Sequence, residues 1–248
     1  MEPNPFYPPE ITERSREVLD TVIEAAPGAV LIGGWATWVR TGGPMSHDID
    51  LIVTHAELAT ITDLGADASE SHHLSGRKWR TTIDQIHLDL YVPYQSRLGQ
   101  ALQLRVEHLA QHTETIEPWT VLDLPGHIAS KLAALTDRPH TAPGIKDRYE
   151  LAALILRDDA DPTATMTALE QASARPAAEL VATVQAGLEH IADGALPPRL
   201  RRELRHPLRA WQTAARRLRP PGRDSDEDRR NGCSAGSCPS PRRPLSPS

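Results

Sequence analysis

Apolar positions change their period along this chain, and the change separates a strand-bearing first half from a helical second half. Ile11, Val18, Leu19, Val22 and Ile23 fall at near-helical spacing, so residues 11–26 read as an amphipathic helix, with Thr12 as candidate N-cap and Pro27-Gly28 as the stop. A short apolar run at 29–32 reads as a strand ending at Gly33-Gly34, and 35–40 reads as a short helix broken by Thr41-Gly42-Gly43-Pro44. A second strand covers 48–53, and a helix follows at 55–61. Residues 69–92 read as strands separated by a turn at Ser75-Gly76-Arg77. The last of these strands alternates Ile86, Leu88, Leu90 and Val92 with His87, Asp89 and Tyr91. After Pro93 no period is clear until a strand at 120–124.

From Pro125 the spacing is helical: 124–137, 145–157, 164–174 and 177–192 each predict a helix. A basic segment follows Pro197-Pro198, and Pro207 is expected to split or kink it. Beyond Pro220 the chain is Pro, Ser, Arg, Gly and Asp with almost nothing apolar, so disorder is expected there. The pattern therefore predicts a compact mixed α/β core over 1–124, a helical region over 125–219 and a tail over 220–248.

With 248 residues the chain can bury a sizeable core. No apolar run approaches the ~18 residues of a membrane-crossing helix, and the start lacks the basic and apolar regions of a signal peptide, so no membrane contact and a cytoplasmic location are expected. Cys233 and Cys238 fall in the tail without accompanying ligands and read as unremarkable thiols. The net charge of -6 conceals a division that matters for partners: up to Pro198 there are 14 Lys/Arg against 28 Asp/Glu, whereas Arg199 to Arg219 holds eight arginines against Glu203. If a polyanion binds, that segment is its anchor; a solvated charged helix is the plainer explanation.

The chemistry concentrates at 31–51. A strand's period of two puts Asp48, Asp50 and Ile52 on one face and Ile49, Leu51 and Val53 on the other. Same-face residues lie roughly 6.5–7 Å apart, so two carboxylates can lean onto metal ions about 3.5–4 Å apart. Gly33-Gly34 lets backbone approach a ligand, and the helix start behind it offers N–H groups to an anion. Taken singly, a glycine pair is often only a packing device, and an acidic pair only an exposed strand face. His47 and His87 lie near the acids but within no zinc-like cluster, which makes them polar neighbours rather than ligands.

In chain order the features are a strand, Gly33-Gly34, a helix, Ser46-x-Asp48-x-Asp50 on a second strand, and Asp89 on a later one. With this order residues 31–92 resemble the DNA polymerase beta-like nucleotidyltransferase superfamily. The longer form, Gly33-Gly34-x-Ala36 with Ser46-x-Asp48-Ile49-Asp50-Leu51, is most similar to nucleotidyltransferase toxins of the abortive-infection E type, found in type IV toxin–antitoxin systems. Lys131-Leu132-x-Ala134-Leu135, then Arg138, then Lys146-Asp147 extend the likeness to about Leu156. One departure is Pro44, which stands where an Arg is usual; Arg40 is the candidate substitute.

The resemblance implies an α/β (α+β) fold, a small mixed β-sheet nucleotidyltransferase core flanked by helices. It implies that Asp48 and Asp50 hold Mg²⁺ or Mn²⁺, and that Asp89 completes the acidic set and helps deprotonate an acceptor hydroxyl. Gly33, Gly34 and Ser46 would contact the triphosphate of an NTP, Lys131 would neutralise its charge, and Asp147 would orient Lys131 or the acceptor. Without that pattern, Lys131 reads as a surface lysine and Asp147 as a residue favouring a helix N-terminus. The expected activity is transfer of a nucleoside monophosphate to a macromolecular hydroxyl, tRNA being the favoured acceptor through Arg199–Arg219, with a cognate antitoxin as partner. Two other readings remain: an enzyme modifying an aminoglycoside-like antibiotic, since an acidic surface attracts a cationic acceptor, and a non-catalytic, antitoxin-like nucleotide-binding partner.

Overall fold

The computed structural model describes residues 6–65, 69–73, 76–192 and 196–218. The turn expected at Ser75, the tail beyond Pro220 and both cysteines lie outside the described residues.

Helix α1 (Pro9–Ala25) opens at Pro8, earlier than the apolar spacing implies, and Thr12 bonds the Pro9 carbonyl rather than capping. Strand β1 (Val30–Ile32) runs directly into α2 (Gly33–Thr41), so the glycine pair is the helix's first turn, not a linker before it. Strand β2 (Ile49–Ile52) and helix α3 (His55–Leu64) follow, α3 fixed by a reciprocal Thr54/Glu57 capping box. Then come β3 (Ser69–His73), β4 (Gly76–Ile83) and β5 (Ile86–Tyr91).

The silent stretch after Pro93 contains β6 (Arg97–Leu98), β7 (Leu104–Arg105), the single turn α4 (Val106–Leu109) and β8 (Thr113–Ile116). Two-residue strands carry no period, and β8 is a largely exposed edge strand with polar residues on both faces, so no alternation announces it. Strand β9 (Trp119–Leu122) stops before Asp123, which instead caps α5 (Leu124–Asp137) by accepting from the Gly126 N–H at 2.8 Å.

Helix α6 (Ala142–Ile155) starts before Ile145 because Thr141 caps it and Pro143 occupies its first turn. Helices α7 (Pro162–Ala172), α8 (Ala177–Ala192) and α9 (Pro198–Ala215) complete the chain. Pro207 does not split α9: Leu204, Leu208, Trp211 and Ala215 bury one continuous stripe against α7 and α8, and that burial carries the helix through the lost backbone bond.

Among the described residues the strands form a mixed seven-stranded sheet, in the order β3-β4-β5-β2-β1-β9-β8. β2 is parallel to β5 and antiparallel to β1, while β1 is parallel to β9. Both faces are covered. Leu31, Ile49, Leu51, Leu88 and Leu90 pack on one side with Leu19, Val22 and Trp35. Val30, Ile32 and Ile52 join a second cluster that continues through Ile128 and Leu132 of α5 to Val184 and Trp211. The acids of β2 thus share the face that α5 and its neighbours cover. Among the described residues no helix is long and apolar enough to cross a membrane.

Candidate active site

Asp48 immediately precedes β2 and Asp50 lies within it, paired in register with Ile32 of β1 and with Asp89 of β5. Neighbouring strands are about 4.8 Å apart, so Asp50 has an acid beside it across the sheet as well as one along the chain. Asp48, Asp50 and Asp89 line one cleft of about 290 Å³, together with Gly33, Lys131 and Arg138. The floor of this cleft depends on glycine at Gly33: its φ is +69°, and a Cβ there would overlap the Asp50 carboxylate. Ile32, at the N-cap of α2, has no capping side chain, so the N–H groups of the first turn suit an anionic ligand.

The paired acids differ electrostatically. Burial, then repulsion from Asp48 and Asp89, pushes the Asp50 carboxyl up to about 7. For Asp48 burial acts in the same sense, but the charges of Lys146 and His47 and a hydrogen bond from Ser46 outweigh it and hold the group below its ordinary value. A hard divalent cation would relieve the cost of ionising Asp50, so this donor set fits one. Among the described residues no three His, Cys, Asp or Glu side chains converge as a metal cage. Mg²⁺ requires none, because it takes one or two carboxylates and completes its shell with phosphate and water oxygens. Asp89 is otherwise engaged: Lys78 contacts it at 2.7 Å, and Arg80 clasps it through Nε at 2.7 Å and Nη2 at 3.0 Å.

The facing wall comes from the helices. Lys131 is buried on α5, where its Nζ bonds Glu150 at 2.5 Å and lies 3.5 Å from Asp147. Burial opposes its charge, yet Glu150 and Asp147 overcome that and raise its pKa. Asp147 also accepts from Arg138 Nε at 2.7 Å, and this pairing raises the guanidinium's pKa against its own burial. Asp147 therefore holds Lys131 and Arg138 side by side at the edge of the cleft. The Tyr7 ring lies against the His47 ring, tilted by 34° with centroids 4.0 Å apart. Burial, then nearby Asp48, pushes the Tyr7 hydroxyl up to about 12.

Of the residues that the sequence pattern singles out, Asp48, Asp50, Asp89, Gly33 and Lys131 line the cleft, and Asp147 stands directly behind it. Gly34 and Ser46 pack beneath rather than on its wall; a Cβ at Gly34 would strike Ser46 and the Lys146 ammonium. Arg40, the candidate substitute for the arginine absent at Pro44, does not line the cleft. It points away, bonding His127 Nδ1 at 3.1 Å, Glu114 at 2.7 Å and the Leu122 carbonyl. The sequence pattern assigns no role to Lys78, Arg80, Lys146 or Glu150. A signal exists for two pairs: Lys78 and Arg80 alternate on one strand face, and Lys146 and Glu150 are spaced i,i+4 on α6.

An α/β protein with paired strand-borne carboxylates facing helix-borne cations is the class that fold and site define. No family model matches the chain, and no curated protein matches it. Among the solved structures similar to the chain are two of low identity. One is an antigenic nucleotidyltransferase-like protein from Paracoccidioides brasiliensis, at 13% identity and a TM-score of 0.40, covering 82% of this chain and 94% of that chain. The other is JHP933 from Helicobacter pylori, at 14% identity and a TM-score of 0.44, covering 84% and 93% respectively. At this level of likeness the functional reading rests on the chain's own residues.

Proposed function

We propose that this protein is a metal-dependent nucleotidyltransferase that moves a nucleoside monophosphate from an NTP to a macromolecular hydroxyl, with tRNA as the favoured acceptor. The observation that carries the proposal is the cleft in which Asp48 and Asp50, at the glycine start of α2, face Lys131 and Arg138. Asp48 and Asp50 would hold Mg²⁺ or Mn²⁺, which when bound stabilises charge on the attacking and leaving oxygens of an in-line displacement. The start of α2 at Gly33 brings backbone N–H groups to the triphosphate, and Lys131 and Arg138 neutralise it. The acceptor oxygen attacks the α-phosphorus, pyrophosphate leaves, and the hydroxyl proton passes to Asp89 as its pairs with Lys78 and Arg80 open. The arginines of α9 supply the phosphate-backbone contacts that the acidic body lacks. Action as a toxin held by a cognate antitoxin fits the motif order and belongs to the same proposal.

Incubating the protein with metal, each of the four labelled NTPs, and either total tRNA or an aminoglycoside panel tests this. Label is expected in tRNA with one preferred NTP, and none with Asp50→Asn. Label confined to the aminoglycosides assigns the small-molecule reaction instead; no label from any NTP leaves a nucleotide-binding partner and contradicts the enzyme.

A further inference from the structure

Ser46 is fully buried and its hydroxyl is committed on both sides. It accepts from Lys146 Nζ at 2.8 Å and donates to Asp48 Oδ1 at 2.7 Å. Lys146 is itself only 7% exposed, so its bond to Ser46 is made out of water, where such a link is electrostatically stronger, while the bond from Ser46 to Asp48 is part-buried. They join α6 to the loop before β2, elements 100 residues apart in the chain. Glu150 braces the lysine from its other side at 3.6 Å, and the same carboxylate takes Lys131 at 2.5 Å. The Tyr7 ring covers the ammonium with its centroid 5.0 Å away. Gly34 closes the remaining side, since any Cβ there would displace Ser46 and Lys146 together.

Lys131 and Arg138 belong to the cleft wall; Lys146 does not. A lysine that serves phosphate directly has to reach the cleft, whereas Lys146 reaches the first acid through an intervening hydroxyl. We infer that Lys146 and Ser46 form a positioning relay that fixes the Asp48 carboxylate for a divalent cation, so that helix α6 sets the metal affinity of a ligand on the sheet. This inference rests on the reading of Asp48 and Asp50 as a metal-holding pair. The relay gives Ser46 a different task from contacting a triphosphate, and gives Lys146 and Glu150 a task in the same site. Glu150 anchors Lys131 and Lys146 at once, coupling the cleft wall to the relay beneath it.

Mn²⁺ binding to the full chain, followed by electron paramagnetic resonance without NTP, tests the relay separately from catalysis. Partners that orient metal ligands typically contribute 10–100-fold in affinity, so Ser46→Ala and Lys146→Met should each weaken Mn²⁺ binding by about 10-fold or more. Because both act through one path, the double variant should bind no more weakly than the worse single variant. Lys146→Arg should recover part of the loss, and metal-free NTP binding should be unchanged in Ser46→Ala. Wild-type Mn²⁺ affinity in Ser46→Ala, or losses that multiply in the double variant, would overturn the relay. Absence of Mn²⁺ binding by the wild-type chain contradicts the metal pair itself and removes the relay with it. If Lys146→Met does not fold, Ser46→Ala and Lys146→Arg decide the question alone.

Discussion

Burial of Asp50 beside Asp48 and Asp89 raises its carboxyl to about 7, whereas in an unfolded chain an aspartate titrates near ~3.9. Between those values the native state binds more protons than the unfolded state, so stability falls as pH rises through that window, and the full cost is felt above it. Asp50→Asn should therefore raise the melting temperature of the metal-free protein by several degrees at pH 8, have little effect at pH 4, and abolish transfer. A lower melting temperature at pH 8 would contradict this electrostatic account. Lys131 has the opposite character, because it compensates two buried carboxylates. Lys131→Met should cost about 3–5 kcal/mol in denaturant unfolding, and adding Glu150→Gln should return part of it by removing one stranded charge. That Asp48, Asp50 and Asp89 share one face is legible from strand period and chain order, whereas Lys131 is singled out only by the family resemblance and otherwise reads as a surface lysine. The partners that hold them are not legible, since Lys78, Arg80, Lys146 and Glu150 acquire their roles only when strands and helices meet.

At the scale of elements, the joint between α2 and α5 carries the second pH signal. His127 is fully buried between Thr37 and Arg40, and burial, then the charges of Lys131 and Arg40, depresses its pKa well below the ordinary value. The native state keeps it neutral while the unfolded chain protonates near ~6.5, so stability is lost as pH falls below that point. With Asp50→Asn as the background, which removes the opposing titration of that carboxyl, unfolding free energies measured from pH 7.5 to 5.5 should decline, and adding His127→Gln should flatten the decline. Gly33→Ala tests the start of α2: left-handed backbone and overlap with Asp50 together should lower the melting temperature and weaken metal binding, whereas Gly42→Ala, strained but with open space around it, should spare the metal site. Elements with a long buried stripe, such as α5 and α8, can be bounded from sequence to within a residue. Strand β8, with polar residues on both faces, and the two-residue strands β6 and β7 have no pattern to read, and Pro207 is outweighed by the apolar stripe around it.

For the whole molecule, the decisive contrast is between an acidic body and the exposed arginine face of α9, which includes Arg201, Arg202, Arg205 and Arg209. RNA affinity that depends on this face should fall steeply with salt. Replacing Arg201, Arg205 and Arg209 with Gln should weaken binding across sequences and reduce the log–log salt slope by roughly 0.7–0.9 for each phosphate that is no longer neutralised. Unchanged affinity would remove α9 from the acceptor site while leaving the cleft's chemistry untouched. The proposed nucleotidyl transfer depends on the cleft, where Asp48 and Asp50 stand opposite Lys131 and Arg138. It is tested most directly by supplying the preferred NTP labelled at either the α- or the γ-phosphate, with divalent metal and tRNA, to wild type and Asp50→Asn. Nucleotidyl transfer predicts label on RNA from the α-position only and none from the variant; label from the γ-position, or full α-labelling by Asp50→Asn, would contradict it.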